Sequence, residues 1–159
     1  MFQFNNDSLK WLTSKGSFIT SGTTPNVMTA SWGLIGVLWN KKVAIIPIRE
    51  SRFTKKFIDE SGVFSVSVPF DKMSKELAFC GTKSGRDVDK VKELNLTMEK
   101  CETIDTYFVK DCDWYAECKV LAKIDLTKDM LPEEIQTRCY ASGDMHTLYI
   151  AEIIKEKIR

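Results

Sequence analysis

Residues 25–54 read PNVMTASWGLIGVLWNKKVAIIPIRESRFT, and the fold is decided in this stretch. Val27 to Ile35 is a β candidate, and Gly36 to Trp39 continues it past a bend. In its first half, alternation puts Asn26, Met28, Ala30 and Trp32 on one face and Val27, Thr29 and Ser31 on the other. Val43 to Ile48 is apolar on both faces, as in a strand inside a barrel or under a helix. Ser51 to Glu60 then turns helical. Phe53, Phe57 and Ile58 fall on one side, and Ser51 or Thr54 is placed as the N-terminal cap.

Working outward, Asp7 to Ser14 is predicted as a short helix ended by Gly16, and Ser17 to Thr20 as a strand before the SGTTP turn. Val63 to Val68 alternates, with Phe64, Val66 and Val68 on one face and Ser65 and Ser67 on the other. Helices are expected at Met73 to Phe79 and at Val88 to Leu94, around a glycine-punctuated GTKSGRD loop. Asp113 to Leu126 is the clearest strand. It sets Trp114, Ala116, Cys118, Val120, Ala122, Ile124 and Leu126 on one face and Asp113, Tyr115, Glu117, Lys119, Leu121, Lys123 and Asp125 on the other. So long a strand suggests a bent barrel strand. Pro132 to Tyr140 reads as a helix and Thr147 to Lys157 as the last strand. Strand and helix do not alternate as a parallel sheet requires. The expectation is a mainly β, antiparallel barrel with peripheral helices, in one domain over residues 1–159.

The composition is that of an ordinary globular chain, 43% hydrophobic and 28% charged, with a net charge of +1. That balance gives no argument for nucleic acid or for an acidic membrane surface, so any anion site must be a local basic cluster. The N-terminus lacks a signal-peptide pattern, and no apolar run approaches the ~20 residues of a membrane helix. Five irregularly spaced cysteines and a single histidine, His146, offer no metal-ligand pattern. Reduced structural thiols in a cytoplasmic protein are the expectation.

Three constellations could carry chemistry. Arg49, Arg52 and the Thr54 hydroxyl sit where a strand end opens a helix, a place that favours anions, and arginine suits phosphate. The competing reading is solvated charge paired with Glu50 and Asp59. The GTKSGRD loop adds Lys83 and Arg86, with Lys90 beyond it, around small residues that allow close backbone approach. Neither a P-loop nor a GxGxxG is present. NVMTASW offers small Ala30 and Ser31 beside Trp32, as a flat ring would need, although a plain barrel strand with Trp32 in its core fits as well. An anion end next to a flat-ring end describes flavin mononucleotide. A nucleophilic triad has no support, since one histidine and no GxSxG are present.

The stretches NVMTASWG (26–33), IRESRFT (48–54), FSVS (64–67), FCGTKSGRDVDK (79–90) and GDMHTLYIAEI (143–153) occur in an order that resembles the flavin reductase-like, FMN-binding split-barrel family, and within it the flavoredoxin type. Residues 101–111 have no obvious counterpart. The resemblance implies a six-stranded split barrel, a homodimer, and FMN bound non-covalently near the dimer interface. It implies that Asn26, Met28, Thr29, Ser31 and Trp32 line the isoalloxazine and ribityl chain. Arg49, Ser51, Arg52 and Thr54 would hold the phosphate, with Ser84, Gly85 and Lys90 closing the site. It leaves two activities open. One is a reductase drawing on NAD(P)H; the other is an electron carrier served by a small-molecule or protein donor and acceptor. It names no catalytic residue, because the flavin carries the redox chemistry.

Overall fold

The computed structural model describes residues 16–158, so the helix expected at residues 7–14 lies outside it. The strands are β1 (Ser17–Ser21), β2 (Asn26–Ala30), β3 (Leu34–Leu38), β4 (Lys41–Arg49), β5 (Val63–Val68), β6 (Met98–Lys100), β7 (Tyr107–Val109), β8 (Trp114–Asp125) and β9 (His146–Ile158). Seven of them form one antiparallel sheet in the order β2-β1-β5-β8-β9-β4-β3, and β6 pairs with β7 separately.

Strands β2 and β3 end that order on opposite sides, yet only Ser31, Trp32 and Gly33 separate them in the chain. Laid flat, seven strands would hold them about 29 Å apart. The link from Ala30 to Leu34 can span no more than about 14 Å. The sheet must therefore curl until its edges approach, which makes the barrel.

The same link corrects the expected strand at Val27 to Ile35, and with it the count of six. β2 loses its partner at Ala30, opposite Ser17, and the chain crosses to pair Leu34 with Ile45 of β4. A change of partner splits one apolar run into two strands. Trp39 and Asn40 then close the β3–β4 hairpin with φ of 53° and 56°, the left-handed pair of a type I′ turn.

The main core holds Ile19, Met28, Ile46, Ile48, Phe64, Val66, Trp114 and Tyr149, drawn from six strands. The outer faces of β5 and β8 are not solvated as their alternation predicts. Ser65, Ser67, Tyr115 and Glu117 are buried, because the β6–β7 hairpin and its loop lie over them. The Ser65 hydroxyl donates to the Tyr107 carbonyl at 2.6 Å, and Ser67 Oγ accepts from the Val109 N–H at 3.1 Å. Farther along β8 the register shifts at Glu117/Cys118 and at Val120/Ala122. Such bulges turn the strand, and Ile124, expected inward, is exposed.

Four α-helices surround the sheet among the described residues: α1 (Thr54–Ser61), α2 (Ser74–Thr82), α3 (Lys90–Glu93) and α4 (Glu133–Tyr140). The second runs through Gly81 rather than stopping before it, and the third is a single turn, capped by Asp89 accepting from Lys92 N–H at 3.2 Å.

Glu117 is the fastening of the cover. It is fully buried and accepts from the N–H of Glu102 (3.0 Å), the N–H of Thr103 (2.7 Å) and the Thr103 hydroxyl. Hydrogen bonds to a buried charge are worth ~1.5–3 kcal/mol each, and lost partners leave stranded donors. Glu117→Ala is expected to lower unfolding stability by about 3 kcal/mol in urea titration, with the β6–β7 region losing hydrogen-exchange protection first.

Candidate functional site

The curled sheet leaves a groove where β2, the end of β4 and the start of β9 face one another. Pro47 falls beyond the last β3–β4 pair, Leu34 with Ile45, so no strand on that side requires its missing N–H. This end of β4 thereby borders a cleft of about 320 Å³, lined by Met28, Thr29, Ala30, Ser31, Trp32, Pro47, Arg49, Arg52, Gly81 and His146. Its walls mix small and apolar residues with Arg49, Arg52 and His146, and the Trp32 indole among them is half-exposed.

Met28 and Arg52 also line a second recess of about 170 Å³, which adds Asn26, Ser51, Phe53, Thr54, Thr82, Lys83, Ser84, Gly85 and Lys90. Three cations and no carboxylate line it. The twelve residues picked out in the sequence therefore all border these two connected spaces. What each side chain can do there differs from the expectation in several cases.

Arg49 and Arg52 do not meet Glu50 or Asp59. Arg49 donates to the carbonyls of Asp144 and Cys139 and lies over the Tyr140 ring, 5.5 Å from its centroid. It fastens the loop before β9. Arg52 donates to the carbonyls of Gly81 (2.6 Å) and Cys80 (2.8 Å) and so caps the end of α2. Burial lowers its pKa, although a guanidinium remains charged. Ser51 gives its N–H and hydroxyl to the Asp144 carboxylate at 3.1 and 2.7 Å. Thr29 gives its hydroxyl to the Leu77 carbonyl at 2.6 Å. These four shape the groove more than they offer it donors.

Other groups remain available. Helix α1 is capped by Phe53 with no side-chain cap, so neither Ser51 nor Thr54 serves as expected. The Thr54 hydroxyl instead accepts from Asn26 Nδ2 at 2.7 Å, which leaves its own proton to donate. Ser84 Oγ accepts from Arg86 N–H at 3.2 Å and likewise keeps its proton. Gly85 presses on Asn26 so closely that a Cβ would overlap the Asn26 side-chain oxygen. A side chain there would have to displace Asn26, which donates to Thr54. Lys90 is 4% exposed and donates to the Lys83 carbonyl at 3.2 Å. Burial lowers its pKa to about 8, and Arg52 nearby acts in the same direction. An anion in the recess would relieve both effects.

The ring end holds a group left without a role in the sequence. His146 pairs in register with Arg49, and its Nδ1 lies 2.8 Å from the Tyr140 hydroxyl. Its ring centroid is 5.4 Å from that of Trp32. Burial, with Arg49 second, draws its pKa down to about 4, so it is neutral at ordinary pH. From sequence alone Asp144 has no part in the site, and Arg86 enters it only as positive charge on the GTKSGRD loop. Arg86 donates to the Ser51 carbonyl at 3.1 Å and lies over the Phe53 ring. The GDMH turn and the basic loop were visible, but their reach across the groove was not. Among the described residues, no group of three or more His, Cys, Asp or Glu is placed to hold a metal ion. No helix among them is long and apolar enough to cross a membrane.

The sequence matches the flavin reductase like domain over residues 11–159, and the chain belongs to that family. A protein of Archaeoglobus fulgidus is 31% identical over 137 residues, covering 86% of this chain and 67% of that protein. The fold is similar to flavoredoxin of Desulfovibrio vulgaris (Miyazaki F), with a TM-score of 0.73 and 23% identity, over 91% of this chain and 69% of that one. It is also similar to an FMN-binding domain of a flavin reductases-like enzyme from Shewanella baltica, with a TM-score of 0.66 and 21% identity, over 94% and 72% of the two chains. The architecture is thus the split barrel that the sequence motifs suggested, with one more strand in its main sheet.

Proposed function

We propose that this chain is a flavoprotein oxidoreductase that binds FMN non-covalently in the groove. The observation that carries this reading is the junction of two unlike spaces. A cationic recess without carboxylates opens, through Met28 and Arg52, into a wider cleft of mixed polar and apolar residues that includes the Trp32 indole and the His146 ring. Membership of a flavin reductase-like family, and the FMN named for the Shewanella baltica relative, support the same cofactor.

The residues fit such a ligand. Lys90, the Thr54 and Ser84 hydroxyls and the uncapped start of α1 would receive the phosphate. Gly85 would let the loop close on it, and Asn26 would hold Thr54 in place. The β2 backbone from Met28 to Ser31 and the ring of Trp32 would line the flavin ring. Arg49, Ser51, Arg52 and Thr29 act indirectly, by holding the β4–α1 turn, the β9 loop and α2 around the groove. Bound FMN supplies the hydride or electron transfer. Neutral His146, held by Tyr140, presents an uncharged imidazole to the ring end.

Lys90 gives the phosphate assignment a pH signature. Its ammonium is present below about pH 8 and is lost as the pH rises through that value. FMN affinity is expected to hold near pH 7 and to fall between pH 8 and 9. Lys90→Met should weaken binding about tenfold at pH 7 and flatten the pH dependence. Titration by flavin fluorescence reads both, and a variant that keeps the wild-type affinity and profile would exclude Lys90 from the phosphate site.

Two electron-transfer roles divide on one assay. A reductase loaded with FMN should bleach when mixed with NADH or NADPH without oxygen. A carrier of the flavoredoxin type, favoured by the likeness to the Desulfovibrio vulgaris protein, should stay yellow until another reductant is supplied. We also propose a homodimer seated on the β3 hairpin, where Leu34, Val37, Leu38 and Trp39 are exposed together with Trp32. Sedimentation of wild type against Leu34→Glu tests it, with a dimer giving way to monomer as the expected result. Five free cysteines suit a reducing compartment such as the cytoplasm.

A further inference from the structure

His146 borders the ring-end cleft beside Arg49, Arg52 and Thr29, each of which donates to backbone carbonyls. Its imidazole has two nitrogens on opposite sides of the ring, and they meet different surroundings. Nδ1 lies 2.8 Å from the Tyr140 hydroxyl. Nε2 has no hydrogen bond among the described residues. The one buried side-chain polar atom among them that lacks a partner is Thr20 Oγ1, so Nε2 is open to the cleft that the ring lines.

The direction of the bond between Tyr140 and His146 follows from what each alternative leaves stranded. Tyr140 is 5% exposed, and its hydroxyl makes no other hydrogen bond among the described residues. If Nδ1 carried a proton and donated it, the phenolic proton would be buried without an acceptor. If the phenol donates, Nδ1 accepts, and the proton of the neutral imidazole sits on Nε2. Burial raises the Tyr140 pKa, so the phenol keeps its proton. The Arg49 guanidinium, 5.5 Å from the centroid of the Tyr140 ring, stands against a second positive charge on the imidazole. Burial and Arg49 together hold His146 neutral.

We infer that Tyr140 is a positioning residue. It fixes His146 as the Nε2–H tautomer, so that the ring end presents an uncharged N–H donor to an acceptor atom on the edge of a flat ligand. The inference rests on the flavin reading above and adds a contact to it. A neutral donor suits a carbonyl oxygen or an unprotonated ring nitrogen. The flavin ring carries such acceptors, and so does a carbonyl substrate lying beside it. Trp32, with its centroid 5.4 Å from that of His146 and its plane tilted by 46°, supplies an apolar surface next to the donor.

The test is ring-nitrogen NMR of the isotope-labelled full chain, in which His146 is the single histidine and gives the single set of imidazole signals. The expected result at neutral pH is a proton on Nε2 and an accepting Nδ1. Tyr140→Phe should move the Nδ1 resonance to that of an unbonded nitrogen and leave the backbone amide spectrum in place. A proton on Nδ1, or a folded Tyr140→Phe with Nδ1 unmoved, overturns the inference; the wild-type tautomer decides alone if the variant does not fold. FMN is then added to the wild type, followed by acetophenone, with α-methylstyrene, the same shape without the oxygen, as the control. A downfield shift of Nε2 beyond that of Nδ1 on adding FMN assigns the donor to the flavin. A shift that appears with acetophenone and not with α-methylstyrene assigns it to a substrate carbonyl. Flavin fluorescence reads separately whether FMN is bound. Bound FMN with Nε2 unmoved by every addition overturns the inference and leaves the flavin reading in place. Failure of FMN to bind overturns the two together.

Discussion

The three-residue link between β2 and β3 is the constraint on which the rest depends. It ties together strands from opposite ends of a seven-stranded sheet, and the sheet can satisfy it only by curling. Curling sets β2 against the ends of β4 and β9 and so creates the groove. It also places Trp32, a residue of the link itself, beside His146 at the start of the last strand. The seam of the barrel and the mouth of the site are thus one feature. A longer link would relax the closure and the site together.

The groove is held in shape by cations that are directed at carbonyl groups. Arg49 binds the loop before β9, Arg52 binds the end of α2, and Arg86 binds the turn before α1. Each joins segments far apart in the chain by charge-assisted hydrogen bonds, which are stronger than neutral ones. Asp144 adds the reverse arrangement, a carboxylate holding the Ser51 donors. With the arginines engaged in this way, the groups left to meet an anion in the proposed site are a buried lysine, two hydroxyls and a helix start. Lysine suits that position, since its ammonium responds to burial and to a neighbouring anion in a way a guanidinium does not.

Much of this was legible in the sequence, for local reasons. Alternation located β5 and β8, and glycine and proline marked the turns. Residue type and position marked the basic strand end and the NVMTASW strand, and the family resemblance supplied the full set of residues bordering the groove. What stayed hidden depends on distant parts of the chain. Ser65, Ser67, Tyr115 and Glu117 alternate as a solvated face should, and only the β6–β7 cover buries them. That cover has strands of three residues each, too short to show a period. The direction of each arginine was equally hidden, because a guanidinium on a strand end can meet a ligand, a carboxylate or a carbonyl with the same local sequence. His146 was visible as a lone histidine in a turn. Its burial beneath Trp32 and Tyr140 arises from the closure of the sheet.

The central claim, that the groove is a flavin site, is tested most directly by the visible absorption spectrum of the purified protein after loading with flavin and desalting. The account predicts that the visible flavin bands remain with the protein fraction, at close to one flavin per chain, as a buried non-covalent cofactor requires. A protein fraction that is colourless after loading with FMN would contradict it, and would return Lys90, Thr54 and Ser84 to the role of a recess for some other anion.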